Sequence, residues 1–210
     1  MSTRGLLQSF EGTDGTGKTT QIALREEWLR AQGHATSVFR EPGGSVISEA
    51  IRAILLDPAH IAMAPETELL LYTASRLQLL KERVLPALAE GRVVILDRFA
   101  DSTTAYQGHG RGLSLEWVER LNSLVRSLAW PRRTWWLDLD PAAALARTAT
   151  RGGRPDRLEG ERLEFFQAVR EGYRHIAESE PERVIKLDAS LVVNEISRRI
   201  REDVAGLLEN

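Results

Sequence analysis

The stretch "FEGTDGTGKTTQ", Phe10 to Gln21, carries the spacing Gly12-x-x-x-x-Gly17-Lys18-Thr19. This is the G-x-x-x-x-G-K-[ST] pattern of a phosphate-holding loop. With 16 glycines, 26 serines plus threonines and three lysines in 210 residues, such a pattern arises by chance roughly 0.002 times in a chain this long. Its surroundings agree. "RGLLQSF" ahead of it reads as a short buried strand. "TTQIALREEWLRAQG" behind it has helical apolar spacing at Ile22, Leu24, Trp28 and Leu29 and stops at Gly33. The glycines at 12, 15 and 17 allow backbone N–H groups to turn inward around an anion, and the following helix adds its positive end. Lys18 is placed to reach the β- and γ-phosphoryl oxygens, and the Thr19 hydroxyl to ligate Mg²⁺. Gly12, Thr13, Asp14, Gly15, Thr16, Gly17, Lys18 and Thr19 are therefore the candidate triphosphate-binding residues.

Outward from the loop, strand-like and helix-like runs alternate to the end of the chain. "HATSVFRE", "RVVILD", "RTWWLDLD" and "RVIKLD" read as strands. "SVISEAIRAILLD" reads as a helix with a serine cap that ends before Pro58. A long helix is expected from Pro65 to about residue 90, kinked near Pro86. "SLEWVERLNSLVRSLAW", "PAAALARTAT", "LEFFQAVREGYRHIAE" and "SLVVNEISRRIREDVAGLLE" are further helices. Such alternation predicts the α/β class: a P-loop NTPase-type three-layer sandwich with a parallel sheet of about five strands and helices on both faces. Residues 97–112 and 150–158 are expected to be irregular, the former beyond a strand end, where open α/β sheets bind ligands.

Composition narrows the class. The length suits a single domain spanning 1–210, and 42% hydrophobic with 28% charged residues is an ordinary globular mix. A formal net charge of −2 offers no general basic field for nucleic acid. No apolar run approaches the ~20 residues that span a bilayer, and "MSTRGLLQSF" lacks a signal-peptide core. The absence of cysteine rules out disulfides and thiolate metal sites. A soluble cytoplasmic protein, without nucleic-acid or membrane partners, is the expectation. Lysine occurs only at 18, 81 and 186 among 28 basic residues, so Lys18 is not a product of general abundance.

A triphosphate loop leaves open a switch GTPase, a mechanical ATPase and a small-molecule kinase. The strand end "WWLDLDP" carries no N-K-x-D guanine-reading motif. "VFREPGG" at 38–44 and "VVILDRFADSTTAYQG" at 93–108 follow strands, where an acceptor would sit. Arg98, at the end of "VVILD", has the planar fork that suits a monophosphate dianion. Asp97 is placed either as a carboxylate near Mg²⁺ or as a strand-end cap. Tyr72 and Arg76 share one helix face at i, i+4.

"EGTDGTGKTTQ", "REPGG" and "DRFADSTTAYQGHGRG", in this order and separation, resemble the bacterial thymidylate kinases, and the resemblance runs from the first strand to about Asp188. It implies transfer of the ATP γ-phosphoryl to dTMP, with Mg²⁺ as cofactor, ATP and dTMP as small-molecule substrates, and a homodimer to which the long helix contributes. It implies that Tyr72 stacks on thymine, that Arg76 reads its edge, that Thr103 and Gln107 lie near the base, and that Ser102 is supportive. Tyr106 matches the ring that crowds the sugar C2′, while Arg40, Glu41 and Pro42 match the sugar-phosphate end. Asp14 matches a group facing the 3′-hydroxyl and the Mg²⁺ shell, so Thr19, Asp14 and Asp97 form the implied metal set. Another nucleoside monophosphate kinase, and a nucleotide-dependent binding switch, are the competing readings. Three separate acceptor motifs speak against the switch.

The segment from 147 to 157 holds four arginines, Arg147, Arg151, Arg154 and Arg157, interrupted by Gly152, Gly153 and Pro155. A mobile cationic loop suits phosphoryl transfer. The resembling family keeps its catalytic arginine either in the phosphate loop or in a lid. Thr13-Asp14-Gly15-Thr16 contains no arginine, which implies the lid arrangement, with a lid at about 147–158. Arg151 is the first candidate and Arg147 the second, beside Lys18, Asp14 and Arg98 as the expected catalytic set.

Overall fold

The computed structural model of the protein describes residues 5–150 and 156–204. Five strands form one all-parallel sheet in the order β2-β3-β1-β4-β5. They are β1 (Leu6–Glu11), β2 (Thr36–Arg40), β3 (Val93–Asp97), β4 (Arg133–Asp138) and β5 (Val184–Asp188). Every strand expected from the sequence is present. Register follows the apolar runs: Leu6 lies opposite Val93, and Phe10 opposite Asp97.

β3 shows why the sheet is covered on both faces. Its side chains alternate, so Val93 and Ile95 join Phe10, Trp135 and Leu187 in one core, while Val94 and Leu96 join Leu7, Phe99 and Val125 in another. Helices α1 (Lys18–Ala31) and α9 (Val193–Asp203) supply Ile22, Leu29, Ile196 and Ile200 to the first core. The second core takes Leu79, Leu80, Val84 and Ala87 from α3 (Pro65–Leu79), a following π-helical turn (Leu80–Val84) and α4 (Leu85–Ala89). A third cluster joins Tyr106 and Trp136 to Phe165, Phe166, Val169 and Tyr173 of α8 (Leu163–Ser179). The other helices are α2 (Val46–Leu56), α5 (Ala100–Thr103), α6 (Leu115–Arg126) and α7 (Pro141–Ala149). The expected serine cap is Ser45, which accepts from Ser48 N at 3.4 Å.

One expectation is met and one needs correction. The long helix departs from α geometry at Leu80–Val84, just ahead of Pro86, near which the break is expected. Pro86 lacks an N–H and its ring presses on the carbonyl four residues earlier, and widening the preceding turn to π geometry accommodates both. Residues 100–110, expected to be irregular, form α5 and a second π-helical turn (Thr104–Gly110). Its glycines serve close packing. A Cβ at Gly110 would lie 2.7 Å from Phe165, and one at Gly108 would lie 2.7 Å from Leu115.

The sheet order places β1 between β3 and β4, so the crossover from β1 runs past β3 to β2 while the crossover from the adjacent β3 runs the other way, past β1 to β4. The crevice opened beyond the carboxyl ends of β1 and β3 is the ligand position that this topology favours. It lies where the phosphate loop leaves β1 and where Asp97 and Arg98 leave β3.

Candidate active site

Two adjoining clefts occupy that crevice. One, of about 150 Å³, is lined by Gly15, Gly17, Lys18, Thr19, Thr20, Arg40 and Asp97, among others. The second, of about 180 Å³, is lined by Pro42, Tyr72, Ser102, Thr103, Tyr106 and Gln107, with Leu56, Asp156, Leu158 and Glu159. Asp14, Glu41, Arg52 and Arg98 belong to both walls, so they stand at the junction.

The first cleft follows from the loop. Gly12, Gly15 and Gly17 have φ of 131°, 85° and 91°, a region that other residues rarely adopt. Gly15 also faces the Ala144 carbonyl so closely that a Cβ has no room. Helix α1 starts at Lys18 after Gly17 as its N-cap, without a side-chain cap and without an acidic residue in its first turn. Its leading N–H groups and dipole are therefore directed at the cleft, an arrangement that suits an anion. The Lys18 ammonium donates to the Gly12 and Thr13 carbonyls, each at 3.0 Å, and stands 3.6 Å from Asp14 Oδ1. Burial and the neighbouring Arg98 pull this ammonium below its ordinary value, and Asp14 opposes them.

The junction is organised by Arg98. Its backbone adopts φ 71°, the one positive φ at a non-glycine position among the described residues. That conformation turns the guanidinium back over the loop. Nη1 donates to the Gly12 carbonyl at 2.8 Å and Nη2 to Asp14 Oδ1 at 2.9 Å. The same guanidinium lies 5.2 Å from the centre of the Tyr106 ring. Partial desolvation would raise the Asp14 carboxyl, but Arg98 and Lys18 prevail and hold it well below the usual carboxylate range.

Glu11, which the sequence reading passed over, holds this turn from below. It is 0% exposed at the end of β1. Oε1 accepts from Phe99 N at 2.7 Å, and Oε2 from the Ser102 and Tyr173 hydroxyls at 2.6 and 2.8 Å. Burial pushes the Glu11 carboxyl up, and Asp101 adds to this, against the pull of Ser102, Arg98 and Tyr173.

The second cleft brings Tyr72, Thr103, Tyr106 and Gln107 together in one wall. Tyr106 is 6% exposed and packs edge-on against Phe165 and Tyr173. Arg76 lies beneath this wall instead of lining it. Its Nε donates to Glu41 Oε2 at 2.6 Å, Nη1 to Thr103 Oγ1 at 2.8 Å and Nη2 to the Phe99 carbonyl at 3.0 Å. Burial raises the Glu41 carboxyl, whereas Arg76 lowers it. Arg40 pairs with Glu49 at 3.0 Å on the first cleft's outer side. Arg52 was not anticipated. It lines both clefts and donates to the Pro42 carbonyl at 2.8 Å. Its only sequence signal is a cation in the middle of the apolar helix "VISEAIRAILL".

For a hard cation the candidates are Thr19, Asp14 and Asp97. Oδ1 of Asp97 is buried without a hydrogen-bond partner among the described residues, and the residue lines the same cleft as Thr19. Among the described residues no group of three or more His, Cys, Asp or Glu gathers as a metal cage. Mg²⁺ takes one or two protein oxygens and completes its shell with water and phosphate, so the unpartnered Asp97 Oδ1 and the Thr19 hydroxyl in one cleft are a donor set of the right chemistry for it.

The arginine-rich segment is described at its two ends. Arg147 is on the last turn of α7, and its Nη1 donates to the Gly15 and Ala189 carbonyls at 3.4 and 3.3 Å. Arg157 is 9% exposed and is tied down: Nε donates to the Leu55 carbonyl at 2.7 Å, and Nη1 lies 2.6 Å from Glu68 Oε2. Arg151 and Arg154 lie outside the described residues.

Known proteins share this arrangement of sequence and fold. The thymidylate kinase family model matches residues 10–200. The thymidylate kinase of Caldanaerobacter subterraneus subsp. tengcongensis is 44% identical over 206 residues, which cover 98% of each chain. That of Deinococcus radiodurans is 47% identical over 197 residues, 94% of this chain and 95% of the other. The crystal structure of thymidylate kinase from Ehrlichia chaffeensis superposes with a TM-score of 0.75 at 28% identity, covering 98% of this chain and 99% of that one. With the phosphate loop, the left-handed Arg98 and the paired clefts in hand, the match over nearly the whole length settles the assignment: the chain belongs to the thymidylate kinase family.

Proposed function

We propose that this chain transfers the γ-phosphoryl of ATP to dTMP, giving ADP and dTDP. The observation that carries the reading is the meeting of a glycine-loop cleft and an aromatic, polar-walled cleft at Asp14 and Arg98. ATP presents its phosphates to the backbone N–H groups of residues 12–19 and to the start of α1. Lys18 exchanges its two loop carbonyls for phosphate oxygens. Thr19 and Asp97, with Asp14 beside them, would hold Mg²⁺, which would supply charge neutralisation on the phosphates. dTMP lies in the second cleft with its base against Tyr72, Thr103 and Gln107, its edge reached by Arg76 or the groups Arg76 fixes. Its phosphate meets Arg98, with Arg40, Arg52, Glu41 and Pro42 around the sugar-phosphate end. The two substrates are brought in line by the shared wall, so catalysis is mostly positioning and charge stabilisation.

Measured with Mg-ATP across a panel of nucleoside monophosphates, dTMP is expected to have the highest kcat/KM. A different best acceptor would point to another nucleoside monophosphate kinase. ADP release indifferent to dTMP would point to a binding switch.

The sugar is read by Tyr106. Its buried ring stands beside Arg98, and a sugar lying against that ring would be crowded at a 2′-hydroxyl. Tyr106→Ala is expected to raise the turnover of ribothymidine monophosphate relative to dTMP by about tenfold, the scale of one steric contact. A ribo-to-deoxy ratio equal to that of the wild type would remove Tyr106 from this role.

The protein works as a homodimer in the cytoplasm. Leu70 on α3 and Ile47 and Ile54 on α2 are exposed apolar residues on helices that pack together, which supports a contact through this pair. No helix among the described residues is long and apolar enough to cross a membrane. Sedimentation at micromolar concentration distinguishes the dimer from a monomer.

A further inference from the structure

Below the base-facing wall of the acceptor cleft lies a buried carboxylate that the reaction itself does not use. Glu68, on α3, is 0% exposed. It stands one and two helical turns before Tyr72 and Arg76, on the same face. Its Oε1 accepts from Gln107 Nε2 at 2.7 Å. Arg111 donates to both oxygens, at 3.3 and 3.1 Å, and Arg157 Nη1 lies 2.6 Å from Oε2. Burial alone would push the Glu68 carboxyl up, but the hydrogen bonds from Arg111, Gln107 and Arg157 prevail and hold it below its ordinary value.

We propose that Glu68 is a positioning residue that sets which pyrimidine the acceptor cleft takes, by fixing the orientation of the Gln107 amide. The proposal rests on the reading of Gln107 as a base-facing residue. A carboxylate only accepts hydrogen bonds, so the amide must turn its NH₂ toward Glu68 and its oxygen away. The Gln107 oxygen has no hydrogen-bond partner among the described residues, and Gln107 lines the cleft beside Thr103. What the cleft offers at this point is therefore a fixed acceptor. Thymine and uracil carry a proton on N3 and can donate to it. Cytosine carries a lone pair there and meets it with repulsion. An amide not held by a carboxylate would turn over and donate to that lone pair, and the discrimination would be lost. Arg111 and Arg157 act one step further back, by keeping Glu68 charged.

The test is Glu68→Gln, an isosteric change that leaves a side chain able to donate as well as accept. Turnover of dTMP and dCMP is measured with Mg-ATP. The dCMP-to-dTMP ratio of kcat/KM is expected to rise about tenfold or more, because a site built around a fixed polar group discriminates strongly and one that can reverse does not. The KM for dTMP should rise more than its kcat falls. A purely structural role would lower both activities together, and a ratio within about twofold of wild type overturns the proposal. Glu68→Asp keeps the charge for Arg111 and Arg157 but withdraws it by one methylene from Gln107. It should relax the ratio in the same direction, and if Glu68→Gln does not fold, an unchanged ratio in Glu68→Asp overturns the proposal alone. Wild-type turnover in the same assay separates the two readings. With dTMP turned over and the ratio unmoved in the variants, only the role of Glu68 fails. With no dTMP turnover by the wild type, the proposed function fails as well.

Discussion

Arg151→Ala is expected to lower kcat by about three orders of magnitude while changing the KM for dTMP little, because an arginine that meets the transferring phosphoryl only in the transition state is worth that much in related reactions. Thr13-Asp14-Gly15-Thr16 carries no arginine inside the phosphate loop. Arg98 already bridges Gly12 and Asp14 on the acceptor side. Of the four arginines between 147 and 157, Arg157 is committed to Glu68 and the Leu55 carbonyl. Arg147 reaches the outer side of the phosphate loop at Gly15. Arg154→Ala, on the far side of Gly152 and Gly153, should cost much less than Arg151→Ala. Steady-state kinetics on the alanine variants decides. Loss of kcat in Arg147→Ala with retention in Arg151→Ala would move the assignment by one helical turn. Retention in both would leave Lys18, Arg98 and the metal as the sources of positive charge at the transition state.

The second large effect is at Arg98. Arg98→Ala is expected to reduce kcat/KM for dTMP about 10³-fold, on the order of 4 kcal/mol, the range seen when one partner of a desolvated, hydrogen-bonded charge pair is removed. Two losses combine. The acceptor phosphate loses its planar two-pronged donor. Asp14 keeps only Lys18, which stands 3.6 Å from it with Arg98 in place, so the ammonium that should meet the triphosphate is drawn toward the carboxylate instead. Arg98→Lys restores charge but not the fork, and should recover little. Arg98→Gly separates chemistry from backbone strain. At φ 71° glycine is at ease where arginine is not, so this variant should melt no lower than Arg98→Ala and yet be as inactive. Activity in Arg98→Gly near that of the wild type would place the acceptor phosphate elsewhere.

Much of the site was legible because its signals are local. Gly12 to Thr19 is one continuous turn, and the required φ values and donors are written in eight consecutive residues. The strands were equally plain, since a parallel sheet covered on both faces demands unbroken apolar runs such as "VVILD". The glycine- and threonine-rich stretch after β3 misled for the opposite reason. Its composition suits a loop, but Gly108 and Gly110 are there so that the segment can lie close against Leu115 and Phe165 and remain helical. Arg25 was similarly hidden. It sits on a face that reads as solvated, yet it is 2% exposed, with its guanidinium against Trp28 and Trp135.

What the sequence determined by itself is the glycine loop from Gly12 to Thr19 and the arginine at the end of a buried strand, Arg98. Each depends on residues within a few positions of one another, whose geometry the local backbone sets. Tertiary structure decided how those groups are held. Glu11 meets a tyrosine 162 residues away, and Glu68 meets an amide 39 residues away. Arg76, legible as a polar residue on the Tyr72 face, turned inward because Glu41, Thr103 and the Phe99 carbonyl satisfy its donors there. A buried charge is tolerated only where partners converge on it, and convergence from distant segments leaves no periodicity or spacing to read.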